Sequence, residues 1–461
     1  MAPRHTVWNT NATATPQVMS SRPKRVAVIG AGISGVVAAA HLNKENIEVT
    51  VFERSSAAGG VWLFDERPPL EASYPSIVAS EAERKQPFDP TLNLTEEEYR
   101  RLLHAPPGPC YVGLKNNVAT RLLQTTLNSF PPGTPDFVSH NVLKEYIQDT
   151  ALKTGILTHY DTEVKELSKN GDEWTVEAAT LSERRDGALK ATSWVSGKNV
   201  LLIGAGVSST DIAREIGPFA NTIYQSHRNG LFDLPGSLLP ENGVRVEQVI
   251  SFDPPADSKT ALDILPDGSL PTIVTLKSGT TICNIHAVVL CTGYHTTLPF
   301  LPTHYAPANT PPTAASSTTL ITDGIQLHNL HKDIFYIPDP TLLFIGVPYF
   351  TATFTLFEFQ AMVAAKVVAG KVKLPPEEEM RRVYEERVRK KGYGKAFHSL
   401  RETEVEYVDQ LIGWANKQLD VRERLKGHTA EWKEGKKEQV ERIKALFAAG
   451  ETARGELEVI C

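Results

Sequence analysis

Two glycine-rich turns are the residues best suited to chemistry, because both could bind phosphate. The first is Gly30-Ala31-Gly32-Ile33-Ser34-Gly35, and the second is Gly204-Ala205-Gly206-Val207-Ser208-Ser209. Each turn follows an apolar, β-branched run and opens an amphipathic stretch, which is the context in which this motif binds a dinucleotide. The glycines allow a tight bend and a close approach to the pyrophosphate, and the following helix directs free N–H groups at it. The chain therefore predicts two bound nucleotides, most simply a flavin and a nicotinamide.

The residues that follow the first turn predict its ligand. Glu53 ends the second predicted strand, where a carboxylate accepts hydrogen bonds from ribose hydroxyls and repels a 2′-phosphate. This site should bind FAD or NAD and exclude NADP. The run Gly59-Gly60-Val61-Trp62 suits a loop pressed against an extended cofactor. Trp62 either covers the flavin region or fills the core, and its residue type alone favours the core.

The residues that follow the second turn predict NADPH. The next strand ends in Ser226-His227-Arg228, without Asp or Glu. A hydroxyl and a guanidinium suit a 2′-phosphate, which Arg binds through two parallel charge-assisted hydrogen bonds. The alternative is that Arg228 is simply an exposed turn residue. A later apolar strand ends in the small-residue turn Thr292-Gly293, whose backbone N–H groups could also contact a cofactor.

The element pattern predicts an α/β fold with two Rossmann-like domains, one for FAD and one for NADPH, and a C-terminal helical extension. A strand at 24–29, a helix at 33–44 and a strand at 48–53 form the first βαβ unit. The second βαβ unit begins at 198. We expect the strand pair 272–276 and 287–291 to return the chain to the first domain.

These elements set the predicted domain boundaries. The predicted segments are a disordered tail at 1–23, an FAD domain at 24–196 and 280–375, an NADPH domain at 197–279, and the helical extension at 376–461.

Composition excludes several classes of protein. A chain of 461 residues with 41% hydrophobic and 22% charged residues is typical of a globular protein of two or three domains. Its net charge of −6 provides no basic field for nucleic acid. No run approaches the ~18 apolar residues of a membrane span. No His cluster has the spacing of a metal site, and nothing in the sequence fixes the oligomeric state.

The N-terminus and the cysteines bear on location. Residues 1–23 lack the apolar core of a secretory signal. They also lack acidic residues and contain Arg4 and Arg22, so a mitochondrial presequence stands as an alternative to a disordered tail. The four cysteines form no CxxC pair, which argues against a disulfide scaffold, a zinc site or a redox dithiol. We expect a cytoplasmic location.

In order and spacing, these motifs resemble the flavin-containing monooxygenases, most closely their soluble fungal branch. The resemblance spans about residues 24–415 and is carried by both glycine turns, Glu53, the run 59–62, LKNNVATRLLQ at 114–124, VVLCTGYH at 288–295, LHNL at 327–330 through DPTLLFI at 339–345, and EFQA at 358–361. It implies that NADPH reduces FAD, that O2 forms a flavin 4a-hydroperoxide, and that a nitrogen, sulfur or carbonyl of a small-molecule substrate takes one oxygen. It also implies that Asn117 lies beside the flavin as the catalytic amide.

The chain departs from this family in one segment. The family has a strand ending in an ATG-type turn and then an FxGxxxH fingerprint before the second glycine turn. Here the predicted β-meander at 174–195 passes directly into Lys198, and no such fingerprint precedes Gly204. We therefore expect a central strand of the FAD domain to be absent, which leaves an open edge or a gap. Natural loss, a skipped segment in the gene model, a flavin-binding pseudoenzyme and an uncoupled NADPH oxidase are the alternatives that follow.

Overall fold

The computed structural model describes residues 4–9, 25–70, 79, 87–91, 94–181, 195–230, 232–254 and 264–450. Their strands, numbered in chain order, are β1 Arg4–Asn9, β2 Arg25–Ile29, β3 Glu48–Phe52, β4 Thr158–His159, β5 Thr162–Asn170, β6 Glu173–Thr180, β7 Asn199–Ile203, β8 Thr222–Ser226, β9 Gly243–Val246, β10 Val249–Asp253, β11 Ile273–Leu276, β12 Thr281–Ile282, β13 Ala287–Leu290, β14 Leu330–His331 and β15 Phe335–Tyr336. Their α-helices are α1 Ile33–Lys44, α2 Glu96–His104, α3 Thr120–Leu123, α4 His140–Thr154, α5 Val207–Ile216, α6 Thr353–Val368, α7 Glu377–Lys391, α8 Glu404–Asn416 and α9 Ala430–Gly450.

Two parallel sheets carry the two glycine turns. The first has the strand order β2-β3-β4, and the second has the order β13-β7-β8-β9. In each sheet an apolar strand runs into the turn, a helix follows, and the next strand pairs in parallel with the first. The right-handed βαβ unit built in this way is the core of a dinucleotide-binding fold. The predicted α/β class with two Rossmann-like units is confirmed.

Among the described residues, β2 is the last strand at one side of the first sheet. Among the described residues β2 pairs with β3 on one side and with nothing on the other. Its side chains alternate between exposed and half-buried, and Ile29 is 37% exposed. In a doubly wound sheet the strand that leads into the turn is normally interior. Within the described part of the chain, β2 is therefore an edge strand.

The strand expected to return to the first domain lies elsewhere. β13 pairs in parallel with β7 of the second sheet, and β11 pairs with β10 and β12. The prediction that 272–276 and 287–291 pair and return the chain to the first domain is therefore wrong. The physical reason is that β13 is apolar on both faces: Val288 packs on one side of the second sheet, and Ala287 and Val289 pack on the other.

Part of the N-terminal tail also departs from expectation. Arg4–Asn9 forms β1, which pairs antiparallel with β6 in the sheet β1-β6-β5. Thr6, Val7 and Trp8 at its centre are β-branched or aromatic residues, which favour a strand. The remainder of the predicted disordered tail lies outside the described residues.

The described residues divide into two compact units. The first takes them from Met1–Leu189 and His295–Gly435, and the second from Lys190–Tyr294 and Lys436–Cys461. The main core of the first unit joins α1, α4 and α6 with the buried face of α8, which contributes Val408, Leu411 and Ile412. Helix α7 has mainly charged residues and buries only Met380 and Tyr384. No α-helix among the described residues has both the length and the apolar character needed to cross a bilayer.

Candidate functional site

The glycines of the first turn have three different structural roles. Gly30 has a φ of +95°, which favours glycine, and its N–H donates to the Phe52 carbonyl at 2.8 Å. Gly32 is the N-cap of α1 and leaves the helix N-terminus open. A Cβ on Gly35 would lie 1.9 Å from the Gly30 carbonyl oxygen, so this glycine lets α1 pack on β2. This division of roles is the one that a pyrophosphate site requires.

Glu53 lies beside this turn, where the sequence predicts the ribose contact. The carboxylate is 6% exposed. Its Oε2 accepts from the Ala31 N–H at 2.6 Å, and its Oε1 accepts from the Ser55 N–H at 2.7 Å. Each carboxylate oxygen has a further lone pair, so the group can still accept a ribose hydroxyl. The residues present fit the adenosine half of FAD.

The loop after Glu53 closes against the same turn. Gly60 has a φ of +55°, and a Cβ on it would lie 2.9 Å from the Gly32 Cα. Val61 is 58% exposed, while the Trp62 ring packs edge-on against Phe354 with centroids 6.5 Å apart. Trp62 therefore belongs partly to the core, and a flavin contact for this residue stays a prediction.

Gly346 is a residue of this site that sequence reasoning missed. Its φ is +99°, and a Cβ on it would lie 2.4 Å from the Ser34 Oγ. Its N–H donates to Gln360 Oε1 at 2.9 Å. A third backbone segment thus meets the N-terminus of α1. The signal in the sequence was the apolar run 342–345 ending in glycine, which repeats the strand-to-glycine pattern of both turns.

The neighbouring residues Asn116 and Asn117 have different environments: Asn116 is buried and Asn117 is exposed. Asn116 is 5% exposed; its Nδ2 donates to the carbonyls of Val118 and Asp136 at 2.6 and 2.7 Å, and its Oδ1 accepts from the Val138 N–H at 2.6 Å. Asn117 is exposed. The amide proposed to act on the flavin is therefore accessible, and its neighbour fixes the loop that carries it.

Glu358 anchors the far end of the same loop and was not singled out as a site residue. This glutamate of α6 is 1% exposed. It accepts from the Thr126 N–H at 2.8 Å and from the Thr126 hydroxyl at 2.5 Å, and it bonds His41 Nε2 of α1 at 3.0 Å. One buried carboxylate therefore joins α1, α6 and the segment after Asn117, and it fixes the position of that segment relative to α1.

The second turn repeats the geometry of the first. Gly204 has a φ of +114°, and a Cβ on it would lie 2.4 Å from the Cys291 carbonyl oxygen. Gly206 is the N-cap of α5. Ser208 is exposed in the first turn of the helix, whereas Ser209 is fully buried and accepts from Gln225 Nε2 at 2.7 Å. Ser209, at the position of the third glycine, therefore joins α5 to β8 through a hydrogen bond.

Of the two groups predicted to bind the 2′-phosphate, the Ser226 hydroxyl is buried and the Arg228 guanidinium is exposed. Ser226 is 4% exposed; its Oγ donates to the Glu247 carbonyl at 3.0 Å and accepts from the Val249 N–H at 3.2 Å. Arg228 is exposed, and the described residues provide no ion pair for it. The guanidinium is thus available to a phosphate, while the hydroxyl joins strands in the interior. Thr292 and Gly293 are exposed after β13, and Gly293 has a φ of +102°.

Neither described free cysteine is suited to covalent chemistry. Burial raises the pKa of the Cys291 thiol to about 11 and also raises the pKa of Cys110. Both thiols are protonated at neutral pH and are poor nucleophiles. The polar groups around the two turns can bind and orient cofactors, and redox chemistry there must come from those cofactors.

Comparisons with known proteins agree with this geometry. Residues 28–84 match the family model of the NAD(P)-binding Rossmann-like domain. The chain is 41% identical to flavin-containing monooxygenase ustF2 of Aspergillus flavus, over 89% of this chain and 96% of that protein. It is 33% identical to flavin-containing monooxygenase ustF1 of the same fungus, over 89% of this chain and 88% of the relative.

The alignment with ustF2 is longer than the part of this chain within it. It extends over 482 positions but includes 89% of 461 residues, which is about 410. About 72 of its positions therefore set residues of the relative against gaps in this chain.

Solved structures give the fold. S-allyl-L-cysteine S-oxygenase from Allium sativum matches with a TM-score of 0.63 at 20% identity, over 94% of this chain and 95% of its own. Tmm from Pelagibacter sp. strain HTCC7211 matches with a TM-score of 0.57 at 20% identity, over 92% and 90%. With the identity and coverage of the two Aspergillus relatives, this chain belongs to the flavin-containing monooxygenases, a family of oxidoreductases that use FAD and NADPH.

Proposed function

We propose that this protein transfers one atom of O2 to a nitrogen, a sulfur or a carbonyl of a small molecule. The observation that carries the proposal is that one chain holds two dinucleotide turns with opposite 2′-phosphate chemistry. Glu53 beside the first turn favours a ribose without a 2′-phosphate, and the exposed Arg228 beside the second turn favours a ribose with one. One chain would then hold FAD and NADPH at separate sites.

The chain's own residues bind and orient these groups. The turn at 30–35, Gly60 and Gly346 form the backbone surface for FAD, and the turn at 204–209 with Arg228 forms the surface for NADPH. The exposed Asn117 amide would donate toward the flavin, held by Asn116 and Glu358. FAD supplies the electron transfer and oxygen activation when it is bound.

A second candidate function is an NADPH oxidase that releases peroxide. The open edge of β2 favours it, since the strand that should cover the FAD-binding sheet is absent among the described residues. The 72 unmatched positions of the ustF2 alignment also favour it. A flavin less well shielded from water would lose its activated oxygen before transfer.

One experiment separates the two functions. Protein loaded with FAD is mixed with NADPH, labelled dioxygen and, in separate reactions, a thioether, a tertiary amine and a cyclic ketone. A monooxygenase places label in a product in proportion to the NADPH consumed. An uncoupled oxidase consumes NADPH and returns an equal amount of peroxide with every substrate. Absence of NADPH consumption contradicts both.

A further inference from the structure

Arg245 lies at the coenzyme-binding edge of the second sheet, and the sequence analysis did not select it. In the parallel pairing of β8 with β9, Arg245 is opposite Gln225, and Val246 is opposite Ser226. The carboxyl ends of parallel strands share one edge, which is where nucleotides bind in such sheets. Arg245 is thus one residue from the edge at which Arg228 emerges.

The Arg245 side chain supports the loop that covers the second turn. Its neighbours Val244 and Val246 pack into the core on one face of the sheet, so Arg245 faces the other. Its Nη2 donates to the Leu234 carbonyl. The Leu234 N–H donates in turn to the Ala205 carbonyl of the glycine turn at 2.7 Å. The segment 232–236 is thereby tied to the turn on one side and to Arg245 on the other.

The position of this guanidinium is not explained by hydrogen bonding alone. Its Nε is buried without an acceptor among the described residues, and a Cβ on Gly236 would lie 3.6 Å from it. Burying an unsatisfied donor on a charged group is costly. A neutral side chain could fill the same space, which suggests that the charge itself has a use.

The charges around His227, the residue before Arg228, indicate that use. Asp233 accepts from the Gly230 N–H at 2.8 Å, and Glu247 accepts from the Ser278 N–H at 2.8 Å. Burial first, and then the charge of Arg245, lower the pKa of His227, whereas the charges of Asp233 and Glu247 act in the opposite direction. Burial also lowers the pKa of Arg245, but a guanidinium stays charged at that pH. Arg245 is thus the cation that offsets the Asp233 and Glu247 carboxylates around His227, which directly precedes Arg228.

We infer that Arg245 is a positioning and selectivity residue for the 2′-phosphate of NADPH, holding the segment 232–236 on the turn and offsetting the carboxylates of Asp233 and Glu247 around His227, the residue before Arg228. The inference rests on the proposed function, in which the second turn binds NADPH. This charge balance predicts that loss of Arg245 weakens binding of nucleotides with a 2′-phosphate and spares nucleotides without one.

The test uses the full chain and two small probes. Adenosine 2′,5′-bisphosphate carries the 2′-phosphate and 5′-AMP lacks it, and calorimetric titration of each needs neither flavin nor turnover. Arg245→Met should weaken the bisphosphate about three- to tenfold and leave 5′-AMP within about twofold. Arg228→Met should weaken the bisphosphate about tenfold or more. Arg245→Lys, which keeps the charge, should restore most of the preference.

Arg214 provides the matched control. It lies on α5, and its Nε donates to the Leu238 carbonyl at 2.9 Å, so it supports the same loop from its other end. Arg214→Met should leave the ratio of the two affinities unchanged. Equal weakening of both probes by Arg245→Met, or no change in either, would overturn the inference. A wild-type protein with no preference for the bisphosphate would instead contradict the proposed NADPH site, and the inference with it.

Discussion

Strands β2 and β7 lead into the same kind of glycine turn, but their surroundings differ. β7 lies between β13 and β8, and Val200, Leu201 and Leu202 are fully buried. β2 has one neighbour among the described residues and exposes Ile29. Both turns nevertheless have the glycine geometry that a pyrophosphate needs. The turn is therefore a local property of the sequence, whereas the sheet that shields it depends on distant segments.

The difference between the two strands predicts different nucleotide affinities at the two turns. A strand with a partner on each side has its backbone N–H and C=O groups hydrogen-bonded, while an edge strand leaves some of these groups open to water or to another chain. We expect the second site to bind its nucleotide in the isolated protein. The first should bind FAD less tightly than an interior strand would allow.

The largest expected effect separates the two sites by ligand. Gly32 and Gly206 have φ values of −70° and −83°, which alanine adopts. A Cβ on them would come no closer than 3.5 Å to Gly60 and 3.9 Å to Phe232. The fold tolerates both changes, but each methyl group occupies the space of a pyrophosphate. Gly32→Ala should weaken FAD binding on the order of 100-fold and spare adenosine 2′,5′-bisphosphate, and Gly206→Ala should do the reverse.

Flavin content and calorimetric titration measure these two affinities, and unchanged thermal unfolding controls for folding. If both variants lost the same ligand, or if neither lost any, the assignment of one nucleotide to each turn would fail.

The next effect tests the open edge itself. Ala27 and Leu201 each lie three residues before the first glycine of their turn; Ala27 is exposed and Leu201 is fully buried. Leu201→Lys buries an unpaired charge and should cost about 4 kcal/mol of unfolding free energy or prevent folding. Ala27→Lys should change it by less than about 1 kcal/mol. Urea unfolding measures both.

A large cost for Ala27→Lys would mean that β2 is covered in the folded protein. Should Leu201→Lys not fold, Leu201→Ala against Ala27→Lys keeps the comparison, since removing buried methyl groups still costs about 2–5 kcal/mol.

A smaller expected effect is the pH dependence of the unfolding free energy that buried histidines give the first unit. His328 and His331 of the first unit are buried, and burial lowers the pKa of each to about 4. As pH falls from 6.5 to 4, the unfolded chain binds protons that the folded chain refuses, so the unfolding free energy falls. The contribution of one histidine to this pH dependence can be tested at His331, because both of its ring nitrogens lack hydrogen-bond partners among the described residues.

His331→Gln should reduce this slope by about 1.4 kcal/mol per pH unit at most. Urea unfolding at pH 7 and pH 5 measures it, with the exposed His295 as the control position for His295→Gln. Asp333 stabilises the fold at lower pH. Burial raises the pKa of its carboxyl, but Arg387 and His398 outweigh burial and lower this pKa to about 2, so the stabilisation is lost as pH falls from 3.8 to 2. Equal slopes for wild type and His331→Gln would contradict the assignment.

Local sequence patterns predicted most of what lies close in the chain. The strand, turn and helix at 25–44 and the carboxylate of Glu53 beside the turn are present. What failed depends on pairing between distant segments. Periodicity cannot tell that β13 joins β7, or that the Ser226 hydroxyl lies between strands.

The residues that sequence reasoning missed share this cause. Gly346, Glu358 and Arg245 act through partners far along the chain: Ser34, Thr126 and a loop folded over the second turn. No spacing rule connects such residues, since only tertiary packing brings them together.

The most direct test of the account is anaerobic reduction of the FAD-loaded protein by NADPH, followed through the visible absorption of the oxidised flavin. Two nucleotide sites of the assigned chemistry predict that one equivalent of NADPH bleaches the flavin, and that NADH at the same concentration does so much more slowly. A protein that binds no FAD, or whose flavin stays oxidised under excess NADPH, would contradict it.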